Sequence, residues 1–117
     1  MPYYLGIDVG TTKVKTCVVN ERGKIVSSSS SKSIIYSLPG NKFEQKSEDI
    51  WNSVVKTVNA IPKNIKSRVK ALSISTQGGT FFPFNKDLKP IRMGISWMDL
   101  RAKDLGKKLL KYFVKNL

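Results

Sequence analysis

Two β-branched runs meet at a glycine. Tyr3 to Val9 is apolar and leads into Gly10-Thr11-Thr12, after which Val14 to Val19 is a second such run. This predicts two strands joined by a tight loop. Glu21-Arg22-Gly23-Lys24 then turns the chain into Ile25-Val26, and Ser27 to Ser31 is expected to continue that third strand as an edge. A three-stranded meander with its first loop at Gly10 follows. The segment Gly6-Ile7-Asp8-Val9-Gly10-Thr11-Thr12-Lys13-Val14-Lys15 is also the most chemically suggestive in the chain. An acid at a strand end can hold hydrated Mg²⁺, and Gly10 lets the backbone approach an anion closely. Successive N–H groups, the hydroxyls of Thr11 and Thr12, and the charges of Lys13 and Lys15 suit phosphate oxygens. An ordinary hairpin would use the same Asp and Gly for its turn, so spacing alone leaves both readings open.

Beyond the meander, Ile34-Ile35-Tyr36 resumes β character and Leu38-Pro39-Gly40-Asn41 is a loop. Ser47 is placed to cap a helix, with Glu48 and Asp49 in a first turn whose dipole favours acids. Ile50, Trp51, Val54, Val55, Val58 and Ile61 recur at helical spacing, with Trp51 assigned to the core, and Pro62 ends that helix. Val69 to Ser75 is a strand ending at Thr76-Gln77-Gly78-Gly79, Thr80 to Phe84 another, and Pro90 to Trp97 a further extended segment. From Met98 onward a helix is expected. Leu105, Leu109, Leu110, Phe113 and Val114 stripe one side of it, and Lys103, Lys107 and Lys111 line another. The class is α/β.

Composition narrows the chemistry. With no histidine and one cysteine, Cys17, in 117 residues, Cys/His metal sites, histidine-based triads and disulfide scaffolds are excluded. Cys17 is expected to be a small packed residue. No apolar run approaches the roughly 18–20 residues of a membrane-spanning helix, the start lacks a secretory signal, and a cytoplasmic location is the default. The net charge of +13 raises the question of nucleic acid. Yet 21 cations include only Arg22, Arg68, Arg92 and Arg101 as arginines, and the lysines are scattered. Dispersed surface charge is the preferred reading, because dedicated phosphate and base readers lean on arginine forks.

Asp8-Val9-Gly10-Thr11-Thr12 with Lys15 resembles the first phosphate-binding hairpin of the actin-like ATPase superfamily. Three further segments resemble motifs of the FGGY carbohydrate kinases, in the same order: Pro39-Gly40 with Glu44-Gln45 and Ile50-Trp51; Ile74-Ser75-Thr76-Gln77-Gly78-Gly79; and Lys89-Pro90-Ile91 with Ile95, Trp97, Asp99 and Arg101. The resemblance spans residue 4 to about 105. It implies a ribonuclease H-like (actin-like) fold, incomplete here, with residues 1–117 as the N-terminal portion of the first actin-like domain and the second domain absent. It also implies an ATP-dependent sugar kinase that moves the γ-phosphoryl group to a sugar hydroxyl with Mg²⁺, in a xylulokinase-like enzyme acting on a pentulose or related polyol.

By position, Asp8 would lie near metal and phosphates, and Gly10, Thr11, Thr12, Lys13 and Lys15 would form the phosphate loop. Gln77, Gly78, Gly79, Trp97 and Asp99 would meet the sugar, with Asp99 and Arg101 closing the site or forming an exposed ion pair. Glycerol-type members carry an Arg-Glu pair where this chain has Gly78-Gly79, and xylulose-type members a Met-His pair. Two glycines offer no side-chain donor, which argues against glycerol. The family's general base falls in a segment beyond residue 117, so the chain alone is expected to be inactive, with weak or no binding of Mg-ATP. The expected partners are ATP and a small sugar, with no membrane or nucleic acid and with a homodimer for the full-length enzyme.

Three other readings arise from the residues. Gly40 to Ser47 nearly matches a phosphate-binding P-loop, with Gln45 where the second glycine belongs, and a loop feeding a helix is preferred. A ribonuclease H-like nuclease or resolvase would also place an acid at Asp8, but needs further carboxylates at neighbouring strand ends. A non-catalytic interaction module would use the C-terminal apolar stripe.

Overall fold

The computed structural model describes residues 1–115. Its centre is a four-stranded sheet of β1 (Tyr3–Val9), β2 (Lys13–Asn20), β3 (Ile25–Lys32) and β6 (Val69–Thr76), in the order β3-β2-β1-β6. The first three strands are an antiparallel meander, whereas β6 runs parallel to β1. Between β3 and β6 lie a hairpin, β4 (Tyr36–Leu38) and β5 (Lys42–Gln45), then helix α1 (Ser47–Asn59) and the short α2 (Lys63–Lys66). After β6 come β7 (Gly94–Ile95), which pairs with β5 in a second, three-stranded sheet, and α3 (Lys103–Lys115).

Strand alternation decides which face is covered. Leu5, Ile7, Val14, Thr16 and Val18 point to the α1 side and are buried. Helix α1 lies on that face through Ser53 and Thr57. Thr16 donates its hydroxyl hydrogen to the Thr57 carbonyl (3.2 Å), and Ser53 to that of Lys32 (3.3 Å). Ile61, just past the helix, completes a small core with Leu5, Ile7, Val14 and Val18. The opposite face, with Gly6, Asp8, Lys15 and Cys17, is open.

The cover stops short of β6. Leu72 and Ile74, aligned with Leu5 and Ile7, are 59% and 58% exposed, and Trp51 on α1 is 65% exposed. No described residue of α3 is buried. The radius of gyration is 18.9 Å, against roughly 13–14 Å for a compact domain of this length. The fold is thus a partial α/β unit, with the β6 end of the sheet and the Trp51 flank of α1 left uncovered by the described residues.

Several local expectations change. Lys46, not Ser47, is the N-cap residue, with no side-chain cap bond; Ser47 opens the helix and donates to Glu48 (3.2 Å). Trp51 is not a core residue within these 115. Residues Lys42–Gln45 form a strand, set up by positive φ at Gly40 (82°) and Asn41 (57°), which reverse the chain. That strand also removes the P-loop reading: Lys46 stacks its ammonium over the Tyr36 ring (5.1 Å) rather than facing an anion loop. Thr80–Phe84 forms only isolated bridges, Phe81 to Ile95 and Phe84 to Pro90, because Pro83 interrupts the run. Helix α3 starts at Lys103, after turns at Trp97–Met98 and Arg101–Ala102. Ile34 and Ile35 lie in a connector, and β4 begins only at Tyr36.

Candidate active site

The β1–β2 loop sits at the C-terminal end of β1, beside the end of the parallel strand β6. Its backbone is held from several directions. The Gly10 N–H donates to the Lys13 carbonyl (2.9 Å), and a Cβ on residue 10 would stand 2.8 Å from that same oxygen, so only glycine fits. Ser33 donates its hydroxyl hydrogen to the Gly10 carbonyl (3.2 Å) and its N–H to the Thr12 carbonyl (2.9 Å). Gln45 donates to the Thr11 carbonyl (3.4 Å). All three loop carbonyls therefore have donors, while the N–H groups of Thr11 and Thr12 find no acceptor among the described residues. Such a loop presents donors and hides acceptors, which suits an anion.

Asp8 is exposed on the open face at the end of β1, opposite Lys15 on β2 and next to Ser75 on β6. The lone carboxylate fits an ion that keeps most of its water and takes its other ligands from phosphate, as Mg²⁺ does. Among the described residues no group of three or more acidic, Cys or His side chains could enclose a metal by itself.

A ring of hydrogen bonds joins this loop to the end of β6 and to Trp97. The Trp97 indole Nε1–H donates to the Thr11 hydroxyl (2.8 Å), which donates to Oε1 of Gln77 (2.8 Å). Thr80 donates to the same Oε1 (3.2 Å) and accepts from the Trp97 backbone N–H (3.2 Å), closing the ring. Gln77 Nε2 in turn donates to Oε1 of Gln45 (2.9 Å), which is fully buried on β5. Trp97 is 57% exposed although both of its N–H groups are paired, so an open aromatic face is held in a fixed orientation. Gly79 has φ +74°, and a Cβ there would lie 3.0 Å from that of Trp97, whereas a Cβ on Gly78 would meet open space.

Asp99 lies outside this ring. Its Oδ2 accepts from the Phe43 N–H (2.8 Å) and from Arg101 (2.7 Å), and its Oδ1 from the Arg101 N–H (3.0 Å) and Nε (2.8 Å). Hydrogen bonding to Arg101 holds the carboxyl far below the usual carboxylate range, against the opposing effect of desolvation. Asp99 and Glu44 in turn raise the already high pKa of Arg101. Arg101 also binds Glu44 (2.6 Å), whose second cation is Arg92. Of the residues predicted from sequence, Thr11, Gln77 and Trp97 converge directly, Gly78 and Gly79 border them, and Asp99 is tied up in an ion-pair clamp. Gln45 and Thr80 were missed as site residues; the signal for Gln45 was its place in the Glu44-Gln45 motif.

The sequence profile of the FGGY family of carbohydrate kinases, N-terminal domain, matches residues 3–116. The chain belongs to this family. Among relatives of the FGGY chain, a glycerol kinase of Aquifex aeolicus is 33% identical over 115 residues, covering 96% of this chain and 23% of the relative. A gluconokinase of Bacillus subtilis is 30% identical over 108 residues, covering 92% and 21%. Among solved structures, a gluconate kinase from Lactobacillus acidophilus superposes with a TM-score of 0.88 at 24% identity, over 95% of this chain and 23% of that one. A ligand-bound xylulose kinase from the same organism gives 0.88 at 24%, over 96% and 23%. These structures establish the actin-like fold. The chain thus spans about a quarter of the length of the relatives it matches.

The nuclease alternative has no support. The strand beside Asp8 ends in Ser75-Thr76-Gln77, Asp99 is fully engaged, and the Asp104 side chain is 91% exposed on α3.

Proposed function

We propose that residues 1–117 are the N-terminal portion of the first actin-like domain of an ATP-dependent sugar kinase. The general base, the adenine pocket and the second domain would be supplied by sequence outside these residues. The observation that carries this reading is the meeting of the Gly10 loop, the β6 terminus and an aromatic wall at the Thr11 hydroxyl, with 2.8 Å hydrogen bonds on both sides. Phosphoryl transfer needs donor and acceptor positioned together more than it needs covalent chemistry from the protein.

In this reading the Thr11 and Thr12 N–H groups orient the phosphate chain, and Lys13 and Lys15 offset its charge. Asp8 would hold Mg²⁺ on this side, and the ion, when bound, would supply charge neutralisation at the phosphate oxygens. Gln77 has one Nε2 hydrogen left for a sugar hydroxyl after its bond to Gln45. The Trp97 face packs on the C–H side of the sugar and keeps water from it. Asp99, with both oxygens engaged, acts by holding the Trp97–Arg101 turn against β5. A cytoplasmic location belongs to the proposal; separately, no helix among the described residues is long and apolar enough to cross a membrane.

For the acceptor we propose a ketose or sugar acid rather than glycerol. Gly78 and Gly79 bring no donors and leave room above residue 78 for a bulkier substrate. Relatives named for gluconate and L-xylulose stand beside those named for glycerol.

Phosphorylation assays test the reading. In the longer polypeptide, Asp8→Ala is expected to abolish ATP-dependent phosphorylation of a ketose while the fold persists, and near-normal turnover would sink the assignment. The present chain is expected to bind Mg-ATP only weakly and to turn nothing over. Phosphorylation by it alone would refute the placement of the base outside these residues.

A further inference from the structure

The Thr11 hydroxyl carries a single proton and stands between two sites that both have a use for it. On the sugar side it donates to Gln77 Oε1 at 2.8 Å while accepting from the Trp97 indole at 2.8 Å. On the phosphate side it belongs to the Gly10 loop, next to the open N–H groups of residues 11 and 12. We propose that this hydroxyl is a proton-sharing switch that couples occupancy of the phosphate loop to the state of Gln77 and Trp97. The proposal rests on the kinase reading of that loop and deepens it.

The count of lone pairs shows how the coupling works. Gln77 Oε1 has two lone pairs, occupied by Thr11 and Thr80. A phosphate oxygen in the loop is a stronger, charged acceptor than an amide oxygen, so it draws the Thr11 hydrogen to itself. One lone pair of Gln77 is then released for a sugar hydroxyl to donate into. Conversely, a sugar hydroxyl that donates to Gln77 frees the Thr11 hydrogen for phosphate. Each ligand removes a competitor of the other, and by linkage the two enhancements are equal. Throughout, the Trp97 indole keeps its acceptor, because rotating the hydroxyl hydrogen leaves oxygen lone pairs available. The indole nevertheless senses the change, because its acceptor's charge environment alters. Glutamine and threonine suit the task because none of the ring members titrates, so the switch answers to ligand and not to pH.

The chain carries its own reporters, since it contains only two tryptophans, and Trp51, on α1 and 65% exposed, is no member of the ring. The test is a titration of ¹⁵N-labelled chain with Mg²⁺ and inorganic triphosphate, following the two indole N–H resonances and the backbone amides of residues 10–13. Trp51→Phe assigns the indoles. In the unsubstituted chain the Trp97 indole and the loop amides are expected to shift with one common midpoint in the millimolar range, while Trp51 stays still. In Thr11→Val the loop amides still shift but the Trp97 response is lost, and Thr11→Ser restores it. Loop amides that move while the Trp97 indole does not, or a Trp97 response that survives in Thr11→Val, would overturn the switch and leave the kinase reading standing. Loop amides that ignore triphosphate would overturn the phosphate role of the loop, and the switch with it. If Thr11→Val fails to fold, the Thr11→Ser and unsubstituted titrations still decide, because the common midpoint is required of both.

Discussion

Glu44 and Gln45 are neighbours on one strand, nearly equal in size and both buried, yet they serve opposite kinds of polar structure. Glu44 faces two guanidiniums, Arg92 and Arg101, the second of which also grips Asp99. Gln45 faces the neutral ring of Gln77, Thr11, Thr80 and Trp97. Charge-assisted bonds are about twice as strong as neutral ones and tolerate little rearrangement. Neutral hydroxyls and amides can exchange donors at small cost. The clamp therefore fixes the turn that carries Trp97, and the ring beside it retains the freedom a binding site needs.

The contrast can be broken from either side. Glu44→Ala should have the largest effect, about 3 kcal/mol lost, because it strips Arg92 of its carboxylate and leaves Arg101 with Asp99 alone beside a buried position. Urea unfolding measures it, and a loss below that of Gln45→Ala would reverse the ranking. Gln45→Ala is expected to lose about 2 kcal/mol by unpairing Gln77 Nε2 and the Thr11 and Ile34 carbonyls. Gly79→Ala should follow at about 1–2 kcal/mol, since it combines a left-handed φ with the Trp97 contact. Gly78→Ala, facing open space, should be close to neutral.

Acid separates the two regions without mutation. The folded-state pKa of Asp99 lies well below its ordinary 3.8, so its contribution to stability is complete above that value. It is lost as pH falls from about 4 toward the folded value. Unfolding midpoints in that window should fall less steeply in Asp99→Asn than in the unsubstituted chain. No member of the neutral ring titrates there, so Gln77→Ala should leave the acid slope unchanged. A similarly small effect is expected at Ser47→Ala, within about 0.5 kcal/mol, because Ser47 provides no cap bond. A loss near 1 kcal/mol, typical of a true N-cap, would contradict the helix start.

How much of this could be read from the chain depended on whether burial matched hydrophobicity. The meander and β6 were legible because apolar and β-branched runs, Tyr3 to Val9, Val14 to Val19 and Val69 to Ser75, are bounded by turn signals. Strand β5 was not, because its two buried residues are Glu44 and Gln45, which no apolar pattern marks. Phe81, Phe82 and Phe84 read as a strand, but Pro83 cannot supply a ladder N–H. Trp51 read as core because helical spacing reports an apolar face and not what lies against it. In the site, Thr11, Gln77 and Trp97 were identifiable through motif resemblance. Their mutual contact was not, since it joins positions 66 and 86 residues apart. Asp99 read as a sugar-side residue or as half of an exposed ion pair with Arg101, and only geometry reveals that its side chain is buried with both oxygens engaged.

The open edge of β6 has a consequence for the chain in solution. Eight residues of strand, Val69–Thr76, present one side to solvent with Leu72 and Ile74 exposed beside them. Such an edge is a template on which a second copy can add by strand pairing. What opposes this is the surplus of +13, with Lys70 on the strand itself. Long-range repulsion between like-charged copies keeps edges from meeting, and salt shortens its reach from about 30 Å at 0.01 M to about 3 Å at 1 M. Lysines that no binding role explains thereby act as a colloidal guard, and shelf life in dilute buffer should exceed that in brine.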